Sequence, residues 1–238
     1  MQNSSLKAKI KFQDLGIIDY QEAWDYQEKL FDATVQRKFN NRKLAVEEQI
    51  PTENHLLFCE HPPVYTLGKS GKMEHLLVNE KELAEMNATM YKINRGGDIT
   101  FHGPGQLVGY PILDLDNFFP DIHKYLRYLE EVFIKILADY NLKGERSPGE
   151  TGVWLDVGKS SARKMLALGV RASRWVTMHG WAFNVNTDLS YFNKIVPCGI
   201  HDKAVTSLAL ELGREVDFNE IKTKSHYYFQ EIFDIEYL

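Results

Sequence analysis

Residues 90–115 read MYKINRGGDITFHGPGQLVGYPILDL. The run parses as strand, glycine-rich loop, strand, Gly103-Pro104-Gly105 turn, strand. Glycine and proline at such positions punctuate a chain that folds back on itself. The pair Gly96-Gly97 allows close approach of backbone to a ligand. Arg95 before it suits an anion or a carboxylate. If residues 98–102 alternate, Asp98, Thr100 and His102 share one face, with Ile99 and Phe101 on the other. The same pattern describes a hairpin with a polar outer face, so the stretch is open to a structural and a functional reading. It lacks the spacing of a dinucleotide fingerprint or a P-loop. LGKSGK (67–72) also fails the P-loop spacing and reads as a solvated loop.

Upstream, KAKIKFQDLG alternates as a first strand, and residues 20–49 carry helical periodicity with Trp24, Leu30 and Phe31 among the buried positions. HLLFCEH (55–61) is a short apolar strand ended by Pro62-Pro63. VYTL follows as another strand, and NEKELAEM as a short helix. Downstream, residues 121–142 form the strongest helix pattern, with Leu126, Leu129, Val132, Phe133, Ile136 and Leu137 on one face. GVWLDVG, ARKMLALGVRAS and RWVTMHGWAFNVN read as three strands, LSYFNKIVPCGI as a loop, and AVTSLALEL and FNEIKTKSHYYFQEIFDI as helices. Strands and helices mix without strict alternation. The expected fold is α/β of the α+β type, a mixed, largely antiparallel sheet with flanking helices against one face. No linker divides residues 1–238, which are expected to form a single domain, with the tail after Lys203 as a small appendage.

The 238 residues are 44% hydrophobic and 26% charged, with a net charge of −5, which disfavours a general binder of nucleic acid or anionic membrane. No apolar run reaches the ~20 residues of a membrane span, and the first residues lack a signal peptide's apolar stretch. Two distant cysteines make neither a disulfide framework nor a zinc pair. A cytoplasmic chain with reduced thiols is expected.

Cys198 lies between Pro197 and Gly199 in NKIVPCGI. A turn there can present a thiol whose reactivity a nearby cation would raise. It can also be a turn filled by a small hydrophobe. In SARKMLALGV (161–170), Lys164 precedes Met165, Leu166, Ala167 and Leu168. Partial desolvation would make it a usable base, whereas snorkelling would leave it an ordinary surface cation. His179 reads as a polar residue satisfied within a strand, and Cys59 as core.

Taken in order, RGGDITFHGPGQLVGYPILDL, GVWLDVGKSSARKMLALGV, HGWAFNVNTDLSYFNKIVPCGI and VTSL resemble the lipoyl(octanoyl) transferases, the octanoyl-[acyl-carrier-protein]:protein N-octanoyltransferases. EHPPVYTLGK is similar to that family's upstream segment, and the resemblance covers roughly residues 55–210. It implies the fold of biotin protein ligases and lipoate-protein ligases, and acyl transfer without ATP, metal or other cofactor. The family's nucleophile falls on Cys198 and its lysine partner on Lys164. Its acyl-binding segments fall on Arg95, Gly96, Gly97, Asp98, Ile99, Thr100, Phe101 and His102, on Ala167, Leu168 and Gly169, and on Gly180, Trp181 and Ala182. The implied donor is octanoyl-acyl carrier protein. The implied acceptors are lipoyl domains of 2-oxoacid dehydrogenase complexes and the glycine cleavage H protein, with no nucleic acid or membrane partner. His102 is a second residue for proton handling or orientation. Met165, Leu166, Leu168 and Trp181 are bulkier than the family pattern and are expected to reshape the acyl pocket. Competing readings are an ATP-dependent lipoate or biotin ligase on the same fold, and a non-catalytic medium-chain acyl-binding protein.

Overall fold

The computed structural model describes residues 7–196 and 204–238. The decisive stretch yields β4 (Thr89–Lys92), β5 (Ile99–His102) and β6 (Gln106–Ile112), but they do not share one sheet. β4 and β5 flank β3 (Val64–Leu67) in a three-stranded sheet, β4 parallel to it and β5 antiparallel. β6 enters the main sheet. The Gly103-Pro104-Gly105 turn is where the chain leaves one sheet for the other, and Gly105 takes φ +76°, a region glycine enters without steric cost.

The main sheet also contains β1 (Ala8–Ile17), β2 (His55–Glu60), β7 (Val153–Leu155), β8 (Arg163–Ser173), β9 (Val176–Asn184), β10 (Ala204–Val205) and β11 (Ile235–Tyr237). Its order is β10-β8-β9-β6-β2-β1-β11, with β7 paired to β8 beside this path. The centre, β8-β9-β6-β2, is antiparallel, and β10, β1 and β11 join through parallel pairs. The mixed, largely antiparallel sheet matches expectation.

Helices cover both faces, not one. Alternate residues of a strand point to opposite sides, and both sides here are apolar. Leu57, Cys59, Val108, Tyr110, Met178 and Ala182 pack with Ala23 and Phe31 of α1 (Tyr20–Asn41). Leu56, Phe58, Leu107, Trp181 and Phe183 pack with Leu129, Phe133 and Phe229 of α3 (Ile122–Asp139) and α5 (Phe218–Phe233). Asp19 caps α1 and Asp121 caps α3, each accepting backbone N–H bonds of the first turn. On α3, Tyr125 is fully buried and Leu126 only partly, so the buried stripe begins one residue earlier than its leucines suggest.

Gly109 of β6 lies opposite Trp181 of β9, and the indole fills the space a side chain would take. A Cβ added at 109 would run into Cε2 and Cζ2 of that ring. Gly109→Ala should therefore destabilise the protein by about 1–3 kcal/mol through overpacking, read as a lowered midpoint in urea at unchanged m-value.

Three expectations are corrected. α1 ends at Asn41, not near Gln49: residues 42–51 are exposed, and Leu44, Val46 and Ile50 among them are not packed into the core. LSYFNK is not loop but a 3-10 turn, Leu189–Lys194, capped by Asp188. The tail is no appendage. Ile221, Phe229 and Phe233 of α5 belong to the core, and β11 extends the sheet beside β1. α4 (Leu208–Leu212) and α2 (Glu80–Glu85) are short surface helices.

Candidate active site

A cavity of about 140 Å³ lies between the α1-facing side of β8 and β9 and the loop that precedes β5. Its floor is made by missing side chains. Ala167 pairs with Ala182 and Gly169 with Gly180, so four neighbouring positions on two strands carry at most a methyl group. Between them stand Leu168 and Trp181, paired with each other. Both border the cavity, but Trp181 is a core residue beneath α3 and α5, packed on Phe58, Phe133 and Phe229, and Leu168 packs against that core. Met165 and Leu166 are buried there too. The bulk expected to reshape the pocket is directed mainly into the opposite face.

The roof comes from residues 95–102. Gly97 sits at φ +88°, and Gly96 is bonded through its N–H to the carbonyl of Val170 at 2.9 Å, which docks the loop onto β8. Arg95 is buried, and its guanidinium donates to the Gly96 carbonyl and to the carbonyl and hydroxyl of Thr66 at 2.7–2.9 Å. These bonds are spent on building the roof. The 67–72 segment, read as solvated, braces the same loop: the N–H groups of Gly68, Lys69 and Ser70 donate to carbonyls of Asp98, Arg95 and Gly97. The side chains of Lys69, Ser70 and Lys72 are exposed.

His102 begins a directed chain of hydrogen bonds. The Gln106 amide nitrogen donates to the Phe101 carbonyl and to Asn184 Oδ1, so its Oε1 accepts from His102 Nδ1–H at 2.8 Å. Asn184 donates onward to the Thr206 carbonyl, and the Thr206 N–H donates to the Lys164 carbonyl. His102 Nε2 is left as an acceptor, 3.4 Å from the Thr66 hydroxyl. Burial pushes the His102 imidazolium pKa down to about 3, aided by His61 and Arg95. Burial thus disfavours the charged form of His102, whose ring is held in place by the Gln106 hydrogen bond. His179 is similar: burial, then Arg95 and Arg171, pushes it down to about 3, and its Nε2–H donates to Asn94.

Lys164 lines the cavity on β8, with Trp154 of β7 opposite it and its ammonium 4.5 Å from the indole centroid. An aromatic face attracts a cation. β10 pairs with this part of β8, Val205 opposite Lys164, and Val205 also lines the cavity. Cys198, with Pro197 and Gly199, lies outside the described residues. Cys59 is fully buried beside His61 and Tyr110, where desolvation pushes its thiol pKa well up, so it is core and no nucleophile.

Of the residues expected at a site, Arg95, Gly97, Asp98, Ile99, Thr100 and His102 border the cavity, as do Lys164, Ala167, Leu168, Gly169, Gly180, Trp181 and Ala182. Gly96 stands behind the wall, and Phe101 turns away to stack on Tyr191 at 4.5 Å. Tyr20, Gln106, Tyr110, Thr151, Asn184, Phe192 and Val205 also line the cavity without having been singled out. They come from five separate elements and a loop, and no local pattern connects them. Among the described residues, no helix is long and apolar enough to cross a membrane.

Residues 19–230 match the family of the lipoyl protein ligase A/B catalytic domain. The chain is 63% identical to the octanoyltransferase of Christiangramia forsetii over 97% of its length and 98% of that protein. It is 61% identical to the octanoyltransferase of Flavobacterium johnsoniae, covering 97% and 99%, and 50% identical to that of Parabacteroides distasonis, covering 94% and 98%. Among solved structures, a bipartite lipoate protein ligase from Thermoplasma acidophilum shares the fold at a TM-score of 0.67 and 16% identity, covering 98% of this chain and 86% of that one. A lipoate-protein ligase A bound with ATP does so at 0.66 and 14%, covering 98% and 88%. By the matched catalytic domain and near-full-length identity to octanoyltransferases, the chain belongs to the lipoyl protein ligase A/B catalytic domain family and is an acyltransferase of protein lipoylation.

Proposed function

We propose that the chain transfers an octanoyl group from octanoyl-acyl carrier protein to a lysine of lipoyl domains, those of 2-oxoacid dehydrogenase complexes or of the glycine cleavage H protein, through a thioester on Cys198. The observation that carries this reading is the side-chain-free floor, Ala167, Gly169, Gly180 and Ala182, beside Lys164. It suits an unbranched apolar chain whose carbonyl end reaches a cation. Described residues on either side of the 197–203 segment support the reading. Phe192 and Val205 line the cavity, and the N–H of Val196 donates to His75, whose ring is bonded to Asp98 in the cavity wall.

In this scheme the Cys198 thiolate, stabilised by the Lys164 ammonium, attacks the donor thioester. The carrier thiolate leaves and takes the Lys164 proton. The acceptor amine then attacks the acyl-enzyme, a C–N bond replaces the C–S bond, and Lys164 recovers a proton from the nitrogen. One thioester replaces another in the first step, and an amide makes the second favourable. Intact-mass measurement after mixing with octanoyl-acyl carrier protein, without ATP, tests the reading. A mass increase of one octanoyl group, discharged by a lipoyl domain, is expected. Transfer only in the presence of ATP would assign the chain to the ligases instead.

Floor height sets chain length. Each buried methylene contributes ~0.8 kcal/mol, so raising the floor across two or three of them costs about 2 kcal/mol, roughly 30-fold. Ala167→Leu should lower kcat/KM for octanoyl donors by about that factor while sparing butyryl donors. Competition between the two donors reads the ratio.

A further inference from the structure

Conversion of an acceptor ammonium to an amide removes two protons from nitrogen. In the scheme above Lys164 takes one, the proton that restores its own charge. The other must leave first, because a lysine amine with a pKa of about 10.4 is almost wholly protonated at neutral pH and cannot attack. The described residues include four histidines at or beside the cavity. Three of them, His61, His102 and His179, are each bonded through at least one ring nitrogen and pushed toward the neutral form by burial.

The fourth is His75. Its Nδ1 is 2.6 Å from Oδ2 of Asp98, whose Oδ1 accepts the N–H of Ile99 at 2.7 Å. Asp98 is buried in the cavity wall, whereas the His75 side chain keeps 17% of its surface exposed. A carboxylate at Nδ1 selects the Nδ1–H tautomer and leaves the Nε2 lone pair on the far side of the ring. Nε2 has no partner among the described residues. The His75 main chain is fixed independently of the ring. Its carbonyl accepts from Val196, its N–H donates to Lys72, and Leu76 bridges to Ile195. The imidazole thus stands between the cavity wall and solvent, backed by an acid.

We infer that His75, oriented by Asp98, is the base that strips the first proton from the acceptor lysine before it attacks the acyl-enzyme. The inference rests on the acyl-enzyme reading. His75 Nε2 accepts one proton from the incoming ammonium and returns it to solvent through its exposed edge. The neutral amine attacks, the C–N bond forms as the C–S bond breaks, and the second proton goes to Lys164. Net, one ammonium and one thioester give one amide, one thiol and one proton, with no other reactant. His75 meets the acceptor's proton, and Asp98 is a positioning residue. Asp98→Asn would present an amide N–H to Nδ1, since the Ile99 N–H holds the oxygen, and would force the wrong tautomer.

The test uses full-length acyl-enzyme, formed from octanoyl-acyl carrier protein and discharged with two small amines at neutral pH. Nα-acetyl-lysine arrives charged, and hydroxylamine arrives neutral. His75→Gln and Asp98→Asn should each slow discharge to Nα-acetyl-lysine by about 100-fold and leave discharge to hydroxylamine little changed. Added imidazole should restore part of the His75→Gln rate. Equal rates with both amines, or equal slowing of both, would overturn the inference while leaving the acyl-enzyme reading intact. Absence of any acyl-enzyme in the unaltered protein would end both.

Discussion

Cys198→Ser should abolish the octanoyl adduct and reduce transfer by at least about 1,000-fold. A serine hydroxyl is not ionised at neutral pH, and in the proposed scheme Lys164 stabilises charge and is no base strong enough to ionise an alcohol. The only other thiol, Cys59, cannot substitute. It is fully buried, and its environment disfavours the anion. Intact mass and a discontinuous transfer assay read the two effects separately. An undiminished adduct on the variant would remove Cys198 from the mechanism. Because Cys59 is silent, alkylation of the native protein should label one site, and saturating octanoyl-acyl carrier protein should protect it.

Lys164→Met should reduce turnover by about 100- to 1,000-fold, within the range of a lost proton-transfer group, and shift the pH profile of Cys198 alkylation upward. Methionine keeps the length and apolar stem of lysine and removes the charge. The direction follows from electrostatics: without a cation alongside, a thiolate forms only at higher pH. Lys164→Arg separates the two duties. Arginine keeps a cation over the Trp154 ring but does not give up a proton in the working range. It should hold the alkylation profile near that of the native protein while turnover stays low. Native kinetics in Lys164→Met would place the proton carrier elsewhere.

Much of the fold was legible because its signals are local. Alternation marked β1, glycine and proline marked the ends of β2 and β6, and a 3.6-residue stripe marked α3. What was not legible depends on long-range packing. Residues 90–115 show three strands in succession, and nothing in them says that the Gly103-Pro104-Gly105 turn carries the chain from one sheet into another. The covering of both sheet faces was hidden for a related reason. Gly109 and Ala182 lie within otherwise large apolar runs, and only pairing shows what fills the space beside them. Among the lining residues, Lys164 stood out by type, and the small residues of β8 and β9 only by their resemblance to a family. Tyr20, Asn184 and Val205 did not, since each is an ordinary residue made relevant by a neighbour far away in sequence. His75 lay in a segment without any motif. Its partnership with Asp98 spans 23 positions and becomes visible only when the 73–77 segment is laid against Leu76's bridge partner Ile195.

The floor of alanine and glycine has an asymmetric consequence for redesign. Its opposite side is occupied by Leu168 and Trp181, wedged into the packing under α3 and α5, and a Cβ at 180 or 169 would meet the Gly109 carbonyl or the Arg95 stem and Gly96 carbonyl, so only positions 167 and 182 can take added volume, and neither can lose more than one methyl group. Variants selected at these two positions can therefore be ratcheted toward shorter fatty acyl groups. A variant that accepts a longer one must shorten a side chain elsewhere in the lining, such as Tyr20, Tyr110, Phe192 or Val205.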